Sequence, residues 1–265
     1  MKIHFYWVWA ALNETIDNTN FLIEDWDSRL QIDCTWWLSL AQRVKRKEAV
    51  FNDIFITHKH TDHILWFFNL IRTVRYGFIE KLNVYCSENL EKSIKGVIAE
   101  LEFNSWVQII KDKKLIFNNI KDRKEENINW FKLIPVNLKS KKMEQYWFHL
   151  ESNWKKILFF WDEAINIFNR NDLDEFYWAD FLICEALLTH EMSIQWWGTI
   201  DNIKMSHITA REAWKIASKL NVKNLVLIHT YEVFEWDRQK VLILDAQIEF
   251  KWKIFVPNPW DIIEL

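Results

Sequence analysis

The run Thr57-His58-Lys59-His60-Thr61-Asp62-His63 sets three imidazoles and one carboxylate side by side. A lone histidine is ordinarily a hydrogen-bonded polar residue, but packing gives no reason to crowd four such groups together. They are the side chains that bind divalent metals. In an extended segment His58 and His60 point the same way and can grip one cation, while Asp62 and His63, entering a helix, aim a short distance away. Two neighbouring metal positions follow. Neutral imidazole nitrogen and carboxylate oxygen suit zinc, so one or two Zn2+ ions are expected, with Mn2+ or Fe2+ as alternatives because affinity order alone does not select the metal in a cell. Such an ion lowers the pKa of a water it holds to about 7, which makes a nucleophile at neutral pH. Hydrolysis is the natural use. A purely structural ion would favour a closed Cys-rich shell, and this cluster has no cysteine.

Asp53-Ile54-Phe55-Ile56, just ahead, reads as a buried strand, and Ile64 to Val74 reads as a helix, so the cluster sits on a strand-to-helix loop. Strand-like runs at 2–8, 20–24, 29–33, 53–57, 81–86, 115–118, 130–136, 145–151, 156–160, 180–185, 224–229 and 247–255 alternate with helical stretches at 38–48, 62–76, 87–101, 163–176, 207–220 and 236–246. Paired meanders and strand-helix alternation occur together, which two sheets flanked by helices accommodate. The polar stretch Lys111 to Asn129 is expected to be exposed, with the mixed-sign Lys121 to Glu126 a solvated loop. No repeat and no Pro-rich or Gly/Ser-rich linker interrupts the 265 residues, so one domain over 1–265 is expected.

The cluster resembles the HxHxDH signature of the metallo-β-lactamase superfamily, and the likeness extends over most of the chain. Asn20-Phe21-Leu22-Ile23-Glu24 and Arg29-Leu30-Gln31-Ile32-Asp33-Cys34 look like the family's opening strands, ending in an Asp before a tight turn. Lys156 to Asp162 is similar to the strand whose terminal Asp bridges both metals, Asp180 to Ala186 to the next strand, and Leu225 to His229 to the strand that delivers the last metal-binding His. Ser206-His207-Ile208-Thr209-Ala210-Arg211-Glu212-Ala213 resembles the H-x-T-A-x-x-A helix entry of the ribonuclease Z-like branch. Thr209 and Glu212 also form a capping box on their own account.

The resemblance implies a four-layer αββα sandwich in the α/β class. It also implies a first metal held by His58, His60 and Asp162, and a second held by Asp62, His63, Asp162 and His229. Asp62 would orient the attacking water, and His207 would sit beside the substrate phosphate and steady the leaving group. The function so implied is metal-dependent hydrolysis of a phosphodiester in RNA or a smaller nucleotide. Lactone or thioester hydrolysis on the same fold, and a non-catalytic metal-binding relative, are the alternatives. No long Gly/Pro-rich arm of the kind that grips tRNA is present. Dimers are common in the resembling branch, though no residue pattern here shows one.

Two departures stand out. Where the family usually has a further ligand in a P-x-x-H arrangement, the chain reads Pro135-Val136-Asn137-Leu138, and leucine cannot bind a metal. Weakened metal binding at the first site is expected, unless His149 or Asn137 substitutes or one ion suffices. The second departure is compositional. There are three glycines and eighteen tryptophans, whereas a usual share of roughly 7% would give about nineteen glycines. Trp7, Trp9, Trp36, Trp37, Trp66, Trp154, Trp161 and Trp260 all stand where backbone geometry or the family pattern asks for glycine, Asn153-Trp154 replacing the usual Asn-Gly turn. About fifteen of the tryptophans are therefore expected to occupy glycine positions of a parent sequence, estimated from the same glycine share.

A net charge of −3 excludes a chain that binds nucleic acid through its overall field. Arg43 to Lys47 and Lys139 to Lys142 are short basic runs whose ordinary reading is solvated surface. Cys34, Cys86 and Cys184 are odd in number and lack C-x-x-C spacing, which points to packing roles in a reducing, cytoplasmic setting. The apolar run Ile3 to Leu12 contains His4 and no convincing cleavage site, and no run is long enough to span a bilayer, so no membrane partner is expected.

Overall fold

The computed structural model describes residues 1–10, 18–35, 51–100, 104–140, 143–160, 176–197, 207–231, 237–247 and 253–265, with backbone alone at 104–105 and 196–197. The described strands form two seven-stranded sheets. In the first, β1 (Lys2–Trp7), β2 (Asn20–Asp25) and β3 (Ser28–Ile32) make an antiparallel meander, and β4 (Asp53–Phe55), β5 (Leu82–Cys86) and β6 (Leu115–Asn119) continue it in parallel from β3. The second is built the same way. β7 (Glu126–Ile128), β8 (Phe131–Asn137), β9 (Tyr146–Ser152) and β10 (Lys155–Phe160) are antiparallel neighbours, and β11 (Phe181–Glu185), β12 (Asn224–Ile228) and β13 (Lys253–Phe255) follow β10 in parallel. The last strand, β14 (Ile262–Glu264), crosses back to pair with β1.

The sheets meet through phenylalanines. Phe21 stacks on Phe159 with ring centroids 5.4 Å apart, Phe55 meets Phe148 at 4.8 Å, and Ile3, Phe5, Leu30, Leu133, Leu150 and Ile228 complete this middle layer. Alternation along each strand sends the intervening residues outward. On the first sheet Ile54, Val84 and Leu22 pack under α1 (Thr61–Ile64), α2 (Phe67–Arg75), α3 (Glu88–Glu100) and α4 (Asn104–Lys111). On the second, Leu158, Leu182 and Leu225 pack with α6 (Ala210–Lys219) and α7 (Arg238–Ala246), which follow α5 (His190–Trp197) in the chain. This is the αββα sandwich. No described helix is long and apolar enough to cross a membrane.

Most expected elements appear with shifted ends, and several differ. The helix expected over 62–76 is divided at Leu65-Trp66 into α1 and α2. The polar stretch expected to be exposed contains, besides the expected strand at 115–118, β7, whose Ile128 is buried between the sheets, so three residues of edge pairing with β8 escaped a reading based on charge. Asn104–Lys111, His190–Trp197 and Ile262–Glu264 were not expected as elements; each is short, and tertiary packing supplies what local periodicity lacks. The expected helix at 38–48, most of that at 163–176 and the first part of the strand at 247–255 lie outside the described residues, as do Arg43 to Lys47, Lys141 and Lys142.

Candidate metal centre

The parallel strands place the candidate residues on one rim. His58 and His60 follow β4, Glu185 ends β11, His229 follows β12, and Asp33 follows β3. Asp33 gathers the first loop. Its carboxylate accepts from Thr57 N at 2.9 Å, from Thr57 Oγ1 at 2.9 Å and from His63 Nδ1 at 2.7 Å. Thr57 therefore spends its one hydroxyl proton on Asp33, and its oxygen accepts from His58 Nδ1 at 2.9 Å. Both His58 and His63 then carry the proton on Nδ1 and turn Nε2 the other way, the usual arrangement for a metal-binding imidazole. The Cys34 N–H to His63 carbonyl bond at 2.8 Å fixes α1 against the end of β3, and Tyr146 N donates to Thr57 O at 3.2 Å across the two sheets.

The imidazoles form a chain through the rim. His58 Nε2 lies 2.8 Å from His60 Nδ1, as the alternation of an extended loop requires. The His58 and His63 rings are 4.1 Å apart, His63 and His229 5.6 Å, and His229 and His207 5.7 Å. Asp62 Oδ2 is 3.5 Å from His63 Nε2. Donor atoms of Asp62, His63 and His229 all lie within 4.8 Å of one another. Ligands at roughly 2.0–2.2 Å from a shared ion stand about 3–4 Å apart, so this donor set fits a divalent ion with little movement. His58, His63 and His229 are essentially inaccessible, which holds their rings in place.

His229, 166 positions from His63 along the chain, thus stands beside it, as the family resemblance implied. Asp162, expected to bridge both ions, lies outside the described residues, two positions past the end of β10. The two expected substitutes for the missing ligand find other partners. His149 Nε2 lies 3.1 Å from Glu151, its ring meets Phe176 edge-on, and burial, with Lys156 and Lys132 nearby, pushes its pKa down to about 3. Asn137 Oδ1 accepts from Lys139 N at 2.7 Å. Leu138 is buried with Val136, Trp147 and Leu158.

The sequence pattern marks Glu185 only as part of a strand. It is fully buried, and His207 Nδ1 lies 2.9 Å from its Oε2. Glu185, His207 and His229 also have donor atoms within 4.8 Å of one another, so this corner joins the metal-type cluster through His229. The signal in the sequence was a carboxylate ending an otherwise apolar run, Phe181-Leu182-Ile183-Cys184-Glu185. Buried carboxylates need a partner, and the run itself offers none. Thr209 accepts from Glu212 N while the Glu212 carboxylate returns to Thr209 N, so the capping box starts α6 just past His207.

The model of the beta-lactamase superfamily domain matches residues 28–230, which include every one of these groups. The chain belongs to this superfamily. No curated protein matches it in sequence. Among solved structures, the metallo-beta-lactamase fold protein YhfI from Bacillus subtilis superposes with a TM-score of 0.76 at 15% identity, covering 100% of this chain and 99% of that one. A diphosphatase of the PhnP family gives 0.71 at 13%, covering 100% and 98%. The short form of human tRNase Z gives 0.66 at 16%, covering 100% and 99%. At these identities the superfamily likeness is one of fold. Membership and the donor set together place the chain among folds that are mostly metal-dependent hydrolases.

Proposed function

We propose that this protein is a metal-dependent phosphodiesterase acting on RNA or a smaller nucleotide. The observation that carries the reading is the His207–Glu185 pair standing beside His229. His58, His60 and Asp162 would hold one ion, and Asp62, His63, Asp162 and His229 the other. When bound, such ions polarise a phosphoryl oxygen and supply a nucleophile at neutral pH.

The chain's own groups do the rest. Asp62 orients the attacking water and takes up its proton. Attack at phosphorus forms the new P–O bond as the bond to the leaving alkoxide breaks, and His207 Nε2 supplies the proton that the alkoxide needs. Glu185, bonded to Nδ1, keeps the other nitrogen turned to the substrate and favours the charged ring. A diphosphatase and a tRNase Z among the similar folds support a phosphate-ester substrate. Lactone hydrolysis also expels an alkoxide that such a donor could serve, so the choice of substrate separates the two readings.

The test is turnover of bis(p-nitrophenyl) phosphate set against a panel of lactones and thioesters. Phosphodiester cleavage that EDTA removes and zinc or manganese restores is the expected result. Turnover of a lactone alone would replace the proposal, and no turnover with any metal would remove it.

A further inference from the structure

Thr19 Oγ1 lies 3.0 Å from His229 Nδ1 and 3.0 Å from the carbonyl oxygen of residue 9. A threonine hydroxyl owns one proton, and a carbonyl can only accept. The proton therefore goes to the carbonyl, and the contact with His229 is one in which the ring donates its Nδ1–H. Thr19 is about 1% exposed and His229 fully buried, so water does not compete for either bond. We infer that Thr19 is a positioning residue that fixes the tautomer and plane of His229, leaving Nε2 as the metal-facing atom. The backbone is held to the same end: His229 has φ 53°, and its neighbour Thr230 is tied by Thr230 N to Val8 O at 3.0 Å, Ala10 N to Thr230 O at 2.9 Å and Arg238 Nη1 to Thr230 Oγ1 at 3.1 Å.

This inference rests on the metal-centre reading. Two measurements separate them. In the metal-free, 15N-labelled protein, His229 is expected to show a protonated Nδ1 and an unprotonated Nε2; the opposite tautomer overturns the role of Thr19 whether or not metal binds. By chelator competition, Thr19→Val is expected to weaken zinc binding about 10–100-fold, with Thr19→Ser restoring it. Equal affinity in the valine variant would overturn the proposal, whereas a wild-type chain that takes up no zinc removes the metal centre and leaves the nitrogen spectrum to decide the tautomer.

The tryptophans carry an independent inference. Trp26, Trp154, Trp178 and Trp260 adopt φ of 52°, 65°, 63° and 75°, the left-handed region that favours glycine. Asn153, at φ 47°, and Trp154 fill the two-residue turn between β9 and β10, where positive φ at both positions selects Asn-Gly. Buried indoles show a second misfit: the ring N–H groups of Trp9, Trp147 and Trp214 find no acceptor among the described residues. Tryptophan buried in a native core ordinarily satisfies that donor. We infer that the four turn positions 26, 154, 178 and 260 hold glycine in the protein its own cell makes.

Peptide masses of the protein isolated from its source should show glycine at 26, 154, 178 and 260; tryptophan there overturns the inference. In the chain as written, Trp→Gly at each of these four turns should raise the thermal midpoint by roughly 2–4 °C per position. An unchanged or lower midpoint would count equally against it.

Discussion

The imidazole of His207 is bound at Nδ1 by the buried carboxylate of Glu185, 2.9 Å away. A positioned proton donor contributes about 10²–10⁴-fold in rate. His207→Ala should therefore lower kcat for a phosphodiester by that factor while leaving zinc content unchanged. Steady-state kinetics beside metal analysis checks it. A variant that turns over at the wild-type rate would remove His207 from the chemistry.

Glu185→Gln keeps an acceptor beside His207 but removes the charge. Its expected signature is a shift of the alkaline limb of the kcat profile to lower pH, since the imidazolium that donates the proton loses its counter-charge. Profiles that coincide would mean the pair is only a packing contact.

Asp33 serves three donors, from Thr57 and His63, inside the protein. Asp33→Asn must point an N–H at one of them. Zinc affinity should fall about 10–100-fold as His58 and His63 lose their fixed tautomers. Chelator competition would show it, and affinity equal to wild type would contradict the relay drawn from Asp33 through Thr57.

Leu138→His adds an imidazole where the family pattern has a ligand. A rise in bound metal per chain, measured by elemental analysis, is expected if a three-ligand first site is the defect. Unchanged metal with lowered stability would show instead that position 138 belongs to the apolar layer around Val136 and Trp147.

His149 is held neutral, its pKa pushed down to about 3 by burial, with Lys156 and Lys132 adding to it; burial outweighs the Glu151 carboxylate 3.1 Å away. An unfolded histidine titrates near 6.5. Below that value the unfolded chain binds the extra proton, so the stabilisation is present above about pH 6.5 and is lost as pH falls toward 3, by at most about 1.4 kcal/mol per unit. Denaturant midpoints for wild type and His149→Gln should diverge above pH 6.5 and converge on acidification. Parallel curves would mean that His149 does not titrate differently on folding.

Metal-type chemistry at His58, His60, Asp62 and His63 was legible because four donors in one loop need no tertiary information to stand together. The alternating strands were legible for a similar reason: a period of two is written locally. Elements such as Glu126–Ile128 and Ile262–Glu264 were not, because three residues carry too little pattern and take their shape from β8 and β1.

Residue types alone fixed which side chains could bind a cation and that strand ends would present them. Only the folded chain decided the company they keep. Thr19 reaches His229 across 210 residues, Thr57 donates to Asp33, and His207 finds Glu185, because parallel pairing of β3 with β4 and of β11 with β12 stacks the strand ends in one plane. A hydrogen bond depends on a few tenths of an ångström and on which atom holds the proton, and neither is encoded in any single stretch of sequence.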